Sequence, residues 1–279
     1  MSIAGAADSR ASETRSSEEL LALALSESDE DNRWDYVRTL HYRGGQTEFD
    51  LAAALSKSDK PIEREVGADI LGQLGYPSGG TFHSESVDLL LEMLNDADED
   101  VLYSVVCALG HHKQTRAIAA ICRFADHPNS EIRWAVVVGL GNEEDALSIK
   151  TLIGLTTDEE VRVRDWATFE LGSQIETDTP EIREALFARA TDEDGDTRGE
   201  AIAGLAVRKD ERAFELITIE LQRGDVGTLT FEAAANLADQ RLLPYLNKQR
   251  EDIEEGADSY WLHTLDDAIK ACSSSEMSR

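Results

Sequence analysis

At 279 residues the chain has room for two compact domains or one elongated repeat array. Its 56 Asp and Glu against 27 Lys and Arg give a formal charge of −29. A surface that acidic repels phosphate backbones and anionic lipid, which argues against nucleic acid and membrane as direct ligands and for a basic partner.

Residues 1–17, rich in Ala, Ser and Glu without helical periodicity, read as a flexible tail. Ser16-Ser17-Glu18-Glu19 offers a helix start, followed by the Leu/Ala run Leu20–Leu25. Beyond it the chain repeats itself. Leu40, Leu71, Leu109, Leu140, Leu171, Leu205 and Leu237 close similar helices at steps of 31, 38, 31, 31, 34 and 32 residues. The two longer steps after the first carry turn-forming insertions, Tyr76-Pro77-Ser78-Gly79-Gly80-Thr81 and Thr177-Asp178-Thr179-Pro180. Each unit also has a first helix, expected over 49–55, 87–94, 117–125, 147–156, 182–190 and 214–221, where apolar residues recur at three- and four-residue spacing. Two helices cannot bury their apolar faces alone, so neighbouring units must stack. Tyr260–Ala271 reads as a terminal helix covering the open end, and 273–279 as a short tail, which leaves 18–272 as one repeat domain. Strand signals are nearly absent. No apolar run approaches the roughly 18 residues of a membrane span, and no secretory signal opens the chain, so the expected location is the cytoplasm. Cys107, Cys122 and Cys272 lack CxxC spacing and are expected to be free thiols.

The repeat has recognisable carriers. An acidic turn leads into Val/Ile-Arg, a small residue three positions later and Leu-Gly four beyond that. Asp158–Gly172 holds Val163-Arg164, Ala167 and Leu171-Gly172 in this order; Glu131–Gly141 and Pro61–Gly75 are further copies. This pattern resembles HEAT-like repeats, particularly the short variety named after phycobilisome lyases, from about Leu20 to Ala271. The resemblance implies an all-α fold, an α–α superhelix of about seven helical hairpins. The chain departs from it at Leu102 and Thr230, which stand where Arg is expected. The resemblance also implies that the recurring Arg33, Arg64, Arg133, Arg164 and Arg198 pair with turn acids such as Asp29, Asp59, Asp158, Asp194 and Asp225, within and between repeats.

At about 100° per residue, the anchor Leu and positions one, four, seven and eight before it share a core-facing side. Positions two, five and six before it fall opposite, where a HEAT-like array leaves its concave surface. Six before the anchor stand Trp34, Glu65, Tyr103, Trp134, Asp165 and Phe231. Five before it come Trp166, Glu200 and Glu232, and two before it Asp69 and Phe169. Aromatics interleaved with carboxylates suit Arg or Lys side chains, through cation–π contact and charge-assisted hydrogen bonds. These residues are the candidate partner-binding strip.

Catalytic signals are weak. None of the six histidines forms His-Glu-x-x-His, and no His-Glu pair of the kind found in di-iron deoxyhypusine hydroxylases occurs. His111-His112 follows Gly110 in a turn read as solvated. Nucleophile elbow, P-loop and dinucleotide fingerprints are missing. The sequence therefore points to a non-enzymatic protein-binding solenoid without cofactor or metal, acting as scaffold or adaptor, or as an inhibitor or immunity-type protein covering a basic partner. The alternatives are a phycobilin-lyase-like subunit or chaperone and, further off, a HEAT-like DNA glycosylase, which would need a basic groove.

Overall fold

A computed structural model describes residues 13–76, 78–223, 226–252 and 258–274. Most of the expected N-terminal tail (1–12), part of the C-terminal one (275–279), Pro77 of the first insertion and the turn acid Asp225 lie outside the described residues. Among the described residues there are sixteen α-helices and no strand. Packing divides the chain into two compact units, residues 1–140 and 141–279.

In the first unit the hairpins are α1 (Ser17–Ser26) with α2 (Glu30–Arg43), α3 (Gln46–Leu55) with α4 (Pro61–Gly72), α5 (His83–Met93) with α6 (Glu99–His111), and α7 (Thr115–Ile121) with α8 (Ser130–Leu140). In the second they are α9 (Ala146–Leu155) with α10 (Val161–Phe169), α11 (Pro180–Arg189) with α12 (Gly195–Val207), α13 (Ala213–Leu221) with α14 (Thr228–Leu237), and α15 (Leu243–Glu251) with α16 (Ser259–Ser273). The expected terminal helix is therefore the second half of a further hairpin. Its partner α15 escaped notice because it buries little beyond Leu246.

Caps fix where the helices begin. Ser16 and Glu19 form a capping box at α1, and Asp29, Asp98, Asp145 and Asp194 accept backbone N–H groups at the starts of α2, α6, α9 and α12. Each such cap contributes about 1 kcal/mol. Within each unit the second helices of successive hairpins lie side by side, α2 to α8 in one and α10 to α16 in the other. The Leu-Gly signature is a packing requirement. A Cβ on Gly110 would come within 2.4 Å of the Gly139 Cα, and one on Gly204 within 2.6 Å of the Gly172 Cα. The helices approach backbone to backbone at these points.

The arginines form a ladder. Arg64, Arg133, Arg164 and Arg198 each send Nη1 to the carbonyl six residues upstream, at 2.9, 2.9, 2.8 and 2.7 Å. Arg64 also grips both oxygens of Asp96 (2.6 and 2.8 Å), and Arg164 both oxygens of Asp192 (3.0 and 3.2 Å). The partners thus differ in part from those the resemblance implies. In Asp96-Ala97-Asp98 and Asp192-Glu193-Asp194 the first acid takes the arginine of the preceding repeat, while the second caps its own helix. Asp29 caps α2, and Arg33 reaches Glu65 instead.

One register differs from the sequence reading. The anchor Leu stands eleven residues after the N-cap in α2, α4, α6, α10 and α12. From the N-cap Gly227 of α14 that count reaches Ala238, a left-handed residue with φ of 55°, not Leu237. Phe231 accordingly takes the place of the ladder arginine.

Candidate functional site

In the first unit α2, α4, α6 and α8 enclose a groove of about 790 Å³. Trp34, Glu65, Asp69, Tyr103 and Trp134 all line it, so every strip residue expected in this unit lies in one depression. The Tyr103 and Trp134 rings are stacked, 6.0 Å between centroids and 6° between planes. Trp34 already carries a cation, with the Arg38 guanidinium 6.0 Å from its ring centre. Glu30, Glu99, Asp100 and Glu131 add carboxylates at the helix starts. None of these four acids falls at a strip position, since they stand nine or ten residues before the anchor Leu.

Burial raises two of the carboxylates above their ordinary range. Asp69 rises to about 7, chiefly from desolvation and further from the nearby Glu65 charge, against a hydrogen bond from Ser104. Glu65 is raised by burial too, with Arg33 pulling the other way through a 3.1 Å hydrogen bond to Oε1. In the unfolded chain Asp69 titrates near its ordinary 3.8. Its folded form therefore holds a proton that the unfolded form has lost. That contribution to stability is full below about pH 4 and is lost as pH rises through 7.

The second unit presents a smaller acidic cluster on α10, α12 and α14. Asp165 is pushed up to about 6 and Glu200 to about 7, both mainly by desolvation, and Glu232 lies near Glu200. Ser173 Oγ donates to Glu200 at 3.2 Å, and the Tyr260 hydroxyl to Glu232 at 3.1 Å. Trp166 is 42% exposed, with Phe169 edge-on 5.6 Å away. Phe231 does not belong to this surface. It is fully buried, against the Trp261 ring at 4.9 Å, because the register of α14 turns it inward. The position five before the anchor is likewise not generally free. Val66, Ser104 and Ala135 are buried, while Asp35 and Trp166 are exposed there. Among the described residues no group of three or more His, Cys, Asp or Glu side chains is placed to hold a metal.

The family model for HEAT repeats matches residues 87–172, from α5 into the turn after α10. Together with the stacked hairpins this decides the class. The chain has a HEAT-like repeat fold. Protein YibA of Escherichia coli, in strain K12 and in O157:H7, is 29% identical over 218 residues, which cover 76% of this chain and 77% of YibA. The crystal structure of Escherichia coli YibA superposes with a TM-score of 0.75 at 25% identity, covering 98% of this chain and 97% of that one. A structure of Kap95p with RanGDP shares the fold at 13% identity, with a TM-score of 0.60 over 91% of this chain and 41% of that chain. No helix among the described residues is long and apolar enough to cross a membrane.

Proposed function

We propose that this HEAT-like protein is a non-enzymatic binding module whose first-unit groove takes a basic segment of a protein partner. The observation that carries this reading is the convergence of Trp34, Glu65, Asp69, Tyr103 and Trp134 on one groove. Aromatic faces beside carboxylates attract a guanidinium or ammonium group twice over, by the ring quadrupole and by charge. HEAT repeats generally mediate protein interactions, and Kap95p binds a protein partner, RanGDP; both support the class of activity. The −29 charge favours fast, salt-sensitive capture of a cationic partner. That suits an inhibitor or immunity-type role, in which association slows steeply with added salt, while a scaffold would bind several partners weakly. Cys272 is a buried free thiol, which fits a reducing compartment such as the cytoplasm.

Titration with an arginine-rich peptide tests this reading. Trp134→Ala is expected to weaken binding roughly 10-fold, a loss of about 1.4 kcal/mol, with the melting temperature within a few degrees of the parent. Trp166→Ala, in the other unit, serves as the comparison. Unchanged affinity in Trp134→Ala would rule the groove out as the binding site.

A further inference from the structure

The insertion after α4 brings two histidines together in the first unit. Gly79, Gly80 and Phe82 adopt φ of 93°, 84° and 52°, and the turn delivers His83, the first residue of α5, against His112, which follows α6. Their Nδ1 atoms lie 3.2 Å apart with the rings perpendicular. His83 Nε2 is 3.0 Å from the Gly79 carbonyl oxygen, and His112 Nε2 is 3.0 Å from that of Leu71.

The proton count is decisive. A carbonyl oxygen only accepts, so both Nε2 atoms carry hydrogen. A neutral imidazole has a single ring proton, which leaves both Nδ1 atoms as bare lone pairs facing each other. Three contacts require three protons, and two neutral rings supply two. Something positive belongs between them. A third proton is a poor occupant, because it would make a charged imidazolium of the buried His112 ring, with no carboxylate within hydrogen-bond reach among its contacts. A metal ion needs no ring proton at Nδ1. With zinc–nitrogen bonds of about 2.0–2.1 Å, nitrogens 3.2 Å apart subtend about 100° at the metal, close to tetrahedral. An Nε2–H bonded to a backbone carbonyl is also the arrangement that orients metal-ligating imidazoles. Gly80 makes the approach possible, since a Cβ there would stand 2.3 Å from His83 Nε2.

We propose that His83 and His112 bind a divalent transition-metal ion of the zinc class through their Nδ1 atoms. No third His, Cys, Asp or Glu among the described residues completes the set, so water or a partner's side chain fills the remaining positions and affinity is modest. His83 is partly exposed, which leaves an open side for those ligands. A bound ion would clip the insertion to the ends of α4 and α6, the helices that carry Asp69 and Tyr103.

The test is calorimetric titration of the full chain with ZnCl2, with excess Mg2+ present to occupy surface carboxylates. One Zn2+ per chain is expected, bound at least about tenfold more weakly by His83→Gln and by His112→Gln. CoCl2 should give the intense visible bands of tetrahedral Co2+ in the parent, lost in His83→Gln. Zinc uptake that neither variant changes overturns the proposal, since the ion then sits on the acidic surface. Absence of saturable uptake overturns it, and so does an NMR count of three ring protons on the pair at neutral pH in the presence of zinc.

Discussion

Arg208→Ala is expected to destabilise the second unit by about 3–5 kcal/mol. Arg208 follows α12 and is only 8% exposed. Its Nη1 donates to the Gly172 and Gly204 carbonyls (2.9 and 3.2 Å), and its Nη2 to those of Leu171, Ile175 and Thr177 (2.7, 2.7 and 3.2 Å). Two of these carbonyls, Leu171 and Gly172, belong to the widened turn Glu170–Gln174 that ends α10, and Ile175, just past it, reaches back through its N–H to Glu170 O at 3.0 Å. A wide turn of this kind leaves carbonyls without intrahelical donors. Five acceptors meet one planar fork of donors. Removing the fork strands the acceptors beside Leu171 and Gly172, where the end of α10 meets α12 backbone to backbone at Gly204. Arg208→Lys keeps the charge but presents a compact ammonium that cannot span the set, so it should recover less than half of the loss. Chemical denaturation followed by far-ultraviolet circular dichroism measures both. An unchanged midpoint for Arg208→Ala would mean that water replaces the guanidinium at little cost.

Affinity for an arginine-rich peptide is expected to rise roughly 30- to 100-fold between pH 5 and pH 8. The peptide guanidinium stays charged throughout, so the change belongs to the groove. Asp69 titrates at about 7. At pH 5 it is neutral and offers a cation little; at pH 8 it is ionised and pairs. Binding at pH 7 therefore displaces a proton, and affinity falls as pH drops below the folded value. Glu65, raised by burial as well, broadens the transition. Asp69→Asn should flatten the profile while leaving the aromatic contribution of Tyr103 and Trp134. A profile equally steep in that variant would assign the dependence to other carboxylates.

The fold and half of the candidate site were legible in the sequence for one reason. The 31-residue period places equivalent residues on equivalent helix faces, so Trp34, Glu65, Tyr103 and Trp134 could be assigned to one side before any packing was known. What escaped depended on contacts without period. In α14, Gly227 caps where α2, α6 and α12 use Asp, and Leu237 imitates the anchor one residue early, which sent Phe231 to the wrong face. The arginine partners Asp96 and Asp192 sit in the same turns as the helix caps Asp98 and Asp194, and charge patterning alone cannot divide two acids between two tasks. His112, taken as part of a solvated turn, is buried because the 38-residue step folds back over it. Length in the sequence signals an insertion but not where it lands. The first-turn acids of α2, α6 and α8 lie outside the positions counted back from the anchor, so only the groove brought them into the site.

The four tryptophans allow the binding claim to be tested at residue resolution. Trp34 and Trp134 line the groove, Trp166 lies on α10 of the other unit, and the Trp261 indole donates to the Val226 carbonyl at 2.8 Å. An NMR titration of the indole N–H signals with an arginine-rich peptide at pH 8 reads all of them together. Saturable shifts of Trp34 and Trp134, with Trp261 still, are the predicted result; Trp34 and Trp134 signals that stay in place while the peptide binds would contradict the groove as the site of recognition.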